Sequence, residues 1–120
     1  VRVLVCGSRS WEDSKYIFTK LDRLNRNLGF DAVIEGCARG ADSIAEDWAK
    51  SRSIQLNHFP AQWEEFGKAA GPIRNKQMLV EGKPELVIAF HVDLEKSKGT
   101  RNMVKLSRRA GIETLVYPPQ

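Results

Sequence analysis

Hydrophobic positions along this chain switch back and forth between two rhythms. Residues 1–5 are a nearly unbroken Val and Leu run that stops at Gly7, the pattern of a strand buried on both faces. Ile17, Leu21, Leu24 and Leu28 then recur at helical spacing and Gly29 follows as a stop, which predicts an amphipathic helix over residues 14–28. The cycle repeats with Ala32, Val33 and Ile34 as a second short strand running into Gly36. Ser43 and Glu46 resemble a capping box opening a helix that turns Trp48 and Ala49 inward. Residues 55–59 alternate weakly as a third strand, ended by Pro60.

Residues 61–70 have no clean period and read as a loop, after which Gly71-Pro72 opens a helix with Pro at its first position and Met78 and Leu79 buried. Residues 86–90 (LVIAF) form a fourth strand. The chain is polar over 91–98, and Thr100 caps a helix with Met103, Val104, Leu106 and Ala110 on or near its core face and Gly111 as its stop. Residues 114–117 are the last strand, closed off by Pro118 and Pro119.

Strands alternating with helices predict an α/β fold, because parallel neighbours are joined by right-handed helical crossovers. The expected architecture is Rossmann-like: a parallel sheet of about five strands with helices on both faces. With 120 residues, no repeats and short loops, residues 1–120 fit a single domain.

Composition narrows the class. A chain 42% hydrophobic and 28% charged packs a core and is not a disordered tail. No apolar run reaches the roughly 18 residues of a membrane span. The opening VRVLVCGSRS lacks the zones of a signal peptide, so a cytoplasmic protein without a membrane partner is expected. The absence of an initial methionine fits a trimmed N-terminus. Cys6 and Cys37 are too few for a disulfide scaffold, and with His58 and His91 far apart no zinc spacing is present. Reduced thiols, no structural metal and no cofactor are the expectation. The net charge of +4 favours phosphate-bearing partners.

Ligands of open α/β sheets bind beyond the carboxyl ends of the strands, and three loops there have unusual composition. Gly7, Ser8 and Arg9 follow the first strand; Gly36, Ala38, Arg39, Gly40 and Asp42 follow the second; Lys98, Gly99 and Thr100 follow the fourth. Each offers glycine for close backbone approach and hydroxyl or cationic groups just before a helix, whose N-terminus favours an anion. Together they describe a phosphate cradle. In Gly71-Pro72-Ile73-Arg74-Asn75, Arg74 sits in the first turn of a helix and can grip a phosphate bidentately. Asp42 suits ribose hydroxyls or a helix cap. No GxGxxG and no Walker lysine are present, which argues against dinucleotide chemistry and P-loop hydrolysis. Trp11, Trp63 and Phe66 are candidates to stack a base, with core or lid packing favoured over that role; Lys68 reads as a solvated charge unless its segment folds over the ligand, and His91 as a hydrogen-bonded spacer in preference to a proton shuttle.

The segments GSRSWED, EGCARGADSIAEDWA, FPAQWEEFGKAAGPIRNKQML, LVIAF, SKGTRNMV and AGIETLVY resemble the YspA-like branch of the SLOG superfamily over nearly the whole chain. The resemblance implies a Rossmann-like fold related to the Lonely Guy phosphoribohydrolases and to DprA, and a ligand class of nucleotides and their derivatives. The phosphoribohydrolases carry a PGGxGTxEE motif; Gly99-Thr100 matches its GT and Arg74 resembles their helix arginine, but Asn102 stands where the catalytic glutamate would be. An amide positions water poorly for N-glycosidic cleavage, and Glu35 or Asp42 are the carboxylates able to substitute.

Three readings follow. One is a nucleotide-binding or sensing domain without turnover, with Arg9, Arg39 and Lys98 on phosphate and Asp42 or Asn75 on sugar. The next is a hydrolase of a nucleotide N-glycosidic bond, with Arg74 and Asp42 or Glu35 as catalytic residues. The last is single-stranded DNA binding of the DprA type, against which the dispersed basic charge argues. Sheets of this kind commonly associate through their helices, so a homo-oligomer is expected.

Overall fold

The structure, a computed structural model, describes residues 1–93 and 95–118. Leu94, inside the polar stretch after the fourth strand, and Pro119, the second of the closing prolines, lie outside the described residues. The elements run β1 (Arg2–Gly7), α1 (Ser14–Leu28), β2 (Ala32–Glu35), α2 (Ala41–Ser51), β3 (Gln55–His58), α3 (Trp63–Phe66) with a 3-10 turn (Gly67–Ala69), α4 (Ala70–Gly82), β4 (Leu86–Phe90), α5 (Lys98–Arg109) and β5 (Glu113–Tyr117). The strands make one parallel sheet in the order β3-β2-β1-β4-β5, the Rossmann-like α/β arrangement expected.

Alternation along β1 divides the core. Val3 and Val5 pack with Ile17 and Leu21 of α1 and with Ala45 and Trp48 of α2. Leu4 and Cys6 pack on the other face with Met78 of α4 and with Met103 and Val104 of α5. The right-handed crossover rule dictates this division: α1 and α2 carry the chain one way across the sheet, α4 and α5 the other. No helix among the described residues is long and apolar enough to cross a membrane.

Several helix starts differ from the expected ones. The helix α2 begins at Ala41 with Gly40, at φ +73°, in the cap position, and Ser43 is an exposed residue of its first turn. The capping box does not form because Ser43 already lies inside the helix, and Glu46 pairs with Lys50 at 3.2 Å. Pro72 occupies the third position of α4, not the first; a proline is tolerated there because first-turn N–H groups have no intrahelical acceptor. Thr100 lies inside the first turn of α5, and Ser97 holds the cap position. Residues 61–70 wind into α3 and the 3-10 turn where a loop was expected. Leu28 and Ala110 are exposed, while Ser107 is buried, its Oγ 2.8 Å from Thr114 Oγ1.

Candidate functional site

The central strand β1 pairs with β2 on one side and β4 on the other, so the chain leaves β1 and β4 toward opposite faces of the sheet. This is the switch point at which an open α/β sheet forms its crevice. A cavity of about 620 Å³ lies there, lined by Gly7, Ser8 and Arg9 after β1, by Gly71, Pro72, Arg74 and Asn75 of α4, and by Ser97, Lys98, Gly99, Thr100 and Asn102 around the start of α5. Its size is that of small-molecule sites, roughly 300–1,000 Å³.

Ser8 ties the crevice together. Its backbone N–H donates to Phe90 O and its carbonyl accepts from Ala41 N. Its Oγ accepts from Val92 N and lies 2.9 Å from Ser97 Oγ. Gly7 is required by packing: a Cβ there would sit 2.1 Å from Phe90 O and 2.6 Å from Ala41 Cβ.

The N-terminus of α5 opens onto the cavity. No side chain caps this 12-residue helix and its first turn holds no acidic residue. The first-turn N–H groups at Lys98, Gly99 and Thr100 therefore lack intrahelical acceptors, and their partial positive charge faces the cavity that these residues line. A side chain at Gly99 would meet nothing within 4 Å, so a ligand can approach this backbone closely.

Opposite lies a buried polar network. Arg74 donates from Nη1 to Gly36 O at 2.6 Å and from Nε to Asn75 Oδ1 at 3.0 Å. Asn75 Nδ2 donates to Gly99 O and to Asn102 Oδ1, so the amide at the position of the hydrolases' glutamate is held by its neighbour. A Cβ on Gly36 would lie 2.2 Å from Arg74 Nη1: glycine is needed here to admit the guanidinium. Asp42 Oδ2 accepts from Gly36 N at 3.1 Å and Ala38 N at 3.4 Å. Burial, and after it the charge of Glu35, pushes the Asp42 carboxyl up to about 6, against the pull of Arg74 and the two N–H groups.

The second loop therefore differs from the expected cradle. The N–H groups of Gly36 and Ala38 are spent on Asp42, not offered to a phosphate. Gly36 and Arg39 line a second cavity of about 330 Å³, which shares Arg9, Ala38, Trp63 and Arg74 with the first. Gly40 lines neither; its Cβ would fall 2.2 Å from Ser8 O, so it seats α2 against the first loop.

Glu35 is fully buried and reaches neither cavity, since its carboxylate accepts from Cys37 N at 2.6 Å and pairs with His58 Nδ1. Of the two carboxylates expected to substitute for the missing glutamate, Asp42 is the one that lines the larger cavity. Burial first, then the Glu35 charge, pushes the Cys37 thiol up to about 11.

Trp11 packs on Tyr16 and Phe90, with ring centroids 5.3 and 5.8 Å away, the packing role favoured for it. Trp63 is 48% exposed, lines both cavities and lies under Arg9, whose Cζ is 5.6 Å from its ring centroid. Phe66 lines neither cavity. Lys68 does line the larger one, because α3 and the 3-10 turn fold over the sheet end. His91 is buried with Nε2 2.9 Å from Pro118 O, a spacer as expected. Sequence reasoning missed Asp93 and Lys96 on the cavity wall; they sit in an aperiodic polar stretch with no pattern to mark them.

Two likenesses accompany this geometry. Residues 1–66 match the family model described as the YspA, cpYpsA-related SLOG family. The chain is also 39% identical over 122 residues to the Gene 61 protein of Mycobacterium phage D29, an alignment that takes in 97% of this chain and 95% of that protein. A family match over more than half of the chain and a relative aligned almost end to end agree with the sheet order and the crevice at its switch point, and this chain belongs to the YspA, cpYpsA-related SLOG family.

Proposed function

We propose that the protein binds a nucleotide or nucleotide-derived molecule in the switch-point cavity. The uncapped start of α5 carries this reading, opening onto a cavity whose wall bears Arg9, Lys68, Arg74, Lys96 and Lys98 against the carboxylates of Asp42 and Asp93. Backbone N–H groups at a helix start together with the cations on this wall suit a phosphate. Asn102 and Asp42 offer the donors and acceptors that sugar hydroxyls need, with Asn75, its own amide spent on Arg74, Gly99 and Asn102, holding Asn102 in place, and the exposed face of Trp63 offers a base a stacking surface. The convergence of cations on a cavity supports a small ligand over an extended nucleic-acid strand.

A second reading, cleavage of a nucleotide's N-glycosidic bond, is favoured by one observation. Asp42 is a cavity carboxylate whose pKa of about 6 suits proton transfer near neutral pH, and Arg74 stands beside it.

The deciding experiment combines thermal shift and calorimetry against nucleoside monophosphates, ADP-ribose and cyclic nucleotides with chromatography of each mixture. A ligand that binds only the native state raises the melting temperature. Saturable binding with the ligand intact supports the binding role, and release of free base establishes the hydrolase. A failure of every compound, with steeply salt-dependent binding of single-stranded DNA, would overturn both.

A further inference from the structure

Beside the ligand crevice, and independent of the reading above, three side chains of different chemistry converge at the carboxyl ends of β2 and β3. Glu35 and His58 are register partners in the parallel pair, and Cys37 follows two residues beyond Glu35. Their donor atoms all lie within 4.8 Å of one another. Cys37 Sγ is 3.4 Å from His58 Nδ1 and 3.6 Å from Glu35 Oε1, and Nδ1 contacts that same oxygen directly.

We propose that Glu35, Cys37 and His58 are the protein ligands of a divalent cation of borderline softness, best matched by zinc, bound at the edge of the smaller cavity. A tetrahedral zinc ion with ordinary bond lengths holds its sulfur about 3.5 Å from each nitrogen or oxygen ligand, close to the two sulfur distances seen here, and holds its nitrogen about 3.3 Å from its oxygen, so His58 Nδ1 and Glu35 Oε1, which are in direct contact in this structure, must part by a side-chain rotation to admit the ion. Thiolate, imidazole and carboxylate together select zinc over magnesium or calcium, which take oxygen ligands.

Charge supports the same assignment. Glu35 is fully buried, and its ion-pair partner among the described residues is His58, itself 41% exposed; no Lys or Arg reaches it. Buried carboxylates are paired or coordinate a metal. A divalent ion would be neutralised by the Glu35 carboxylate and a Cys37 thiolate. On binding, the Cys37 S–H proton leaves to solvent and His58 carries its proton on Nε2, freeing the Nδ1 lone pair for the ion. Glu46 Oε1, paired with Lys50, lies 3.9 Å from Nε2, beyond hydrogen-bond distance but near enough for its charge to favour a proton there, the place outer carboxylates take at metal-bound histidines. The fourth position of the tetrahedron opens where Cys37 lines the smaller cavity, next to Arg39 and Pro60.

The test uses the full chain, reduced and stripped with a chelator, titrated with cobalt(II) as a coloured substitute and then with zinc. One equivalent of cobalt should give a thiolate-to-cobalt charge-transfer band in the near ultraviolet and strong tetrahedral visible bands, and zinc should bleach them. Cys37 sits at φ +60°, a conformation glycine adopts freely, so Cys37→Gly should fold as the parent does and lose the charge-transfer band. His58→Gln should weaken cobalt binding by more than about a hundredfold, since loss even of an outer-shell partner costs about 10–100-fold. Absence of a saturable band in the parent chain overturns the proposal. So does a band that survives Cys37→Gly, which would assign the thiolate to Cys6.

Discussion

The tight approach of Gly36 to Arg74 makes a sharp prediction for Gly36→Ala. The added methyl would lie 2.2 Å from Arg74 Nη1 and 2.7 Å from Cζ, against the roughly 3.5 Å of an ordinary contact, so the guanidinium must retreat by more than about 1 Å. Arg74 is 9% exposed and anchored through Gly36 O and Asn75 Oδ1. Retreat breaks the 2.6 Å charge-assisted bond to Gly36 O, worth about 1.5–3 kcal/mol, and draws the cation away from Asp42. The expected cost is about 2–3 kcal/mol, or roughly 8–12 °C in Tm for a chain of this length. Urea unfolding followed by tryptophan fluorescence measures it. In an Arg74→Ala background the methyl has room, and Gly36→Ala should then cost under about 0.5 kcal/mol, leaving a coupling energy near 2 kcal/mol. Equal costs in the two backgrounds, or none in the parent, would refute the claim that this glycine exists to admit the arginine.

Asp42 should leave a mark on the pH dependence of stability. Its folded pKa of about 6 lies above the ordinary 3.8, so the stabilisation from holding its proton is complete below about pH 4 and lost as pH rises through 6, on the order of 3 kcal/mol in all. Asp42→Asn, which keeps an acceptor for the N–H groups of Gly36 and Ala38, should remove that loss when unfolding free energies are compared at pH 4 and pH 7; parallel profiles would contradict the assignment. Lys98→Ala, at an exposed position, should leave Tm unchanged and weaken nucleotide binding about tenfold at low salt, with a smaller effect at high salt because screening already weakens an exposed charge. Calorimetry at two salt concentrations reads both numbers. Trp63→Ala should cost under about 1 kcal/mol of stability, as its ring is half exposed, yet lower ligand affinity by about 1–3 kcal/mol if a base stacks there. Unchanged affinity would remove Trp63 from the site.

Local pattern was enough for the five strands and the four longer helices, though not for α3 and the 3-10 turn, which lack a clean period. The Val and Leu run of β1, the i, i+4 spacing of Ile17 and Leu21 and the LVIAF run of β4 each have one stable way to bury their apolar faces, and that way is a parallel sheet between two helix layers. Gly7 at the end of β1 and Gly36 after β2 were legible for the same reason, since a chain leaving a buried strand must turn there. Helix starts were not: whether Ser43, Thr100 or Pro72 opens its helix depends on acceptors that other segments supply, and Ala41 N bonds to Ser8 O across the switch point. Tertiary structure alone decided that the N–H groups of the second loop serve Asp42 and that Glu35 turns away from the crevice. It alone brought Glu35, Cys37 and His58 together, because a parallel register pairs residues far apart in sequence, and periodicity within a strand carries no record of its neighbour.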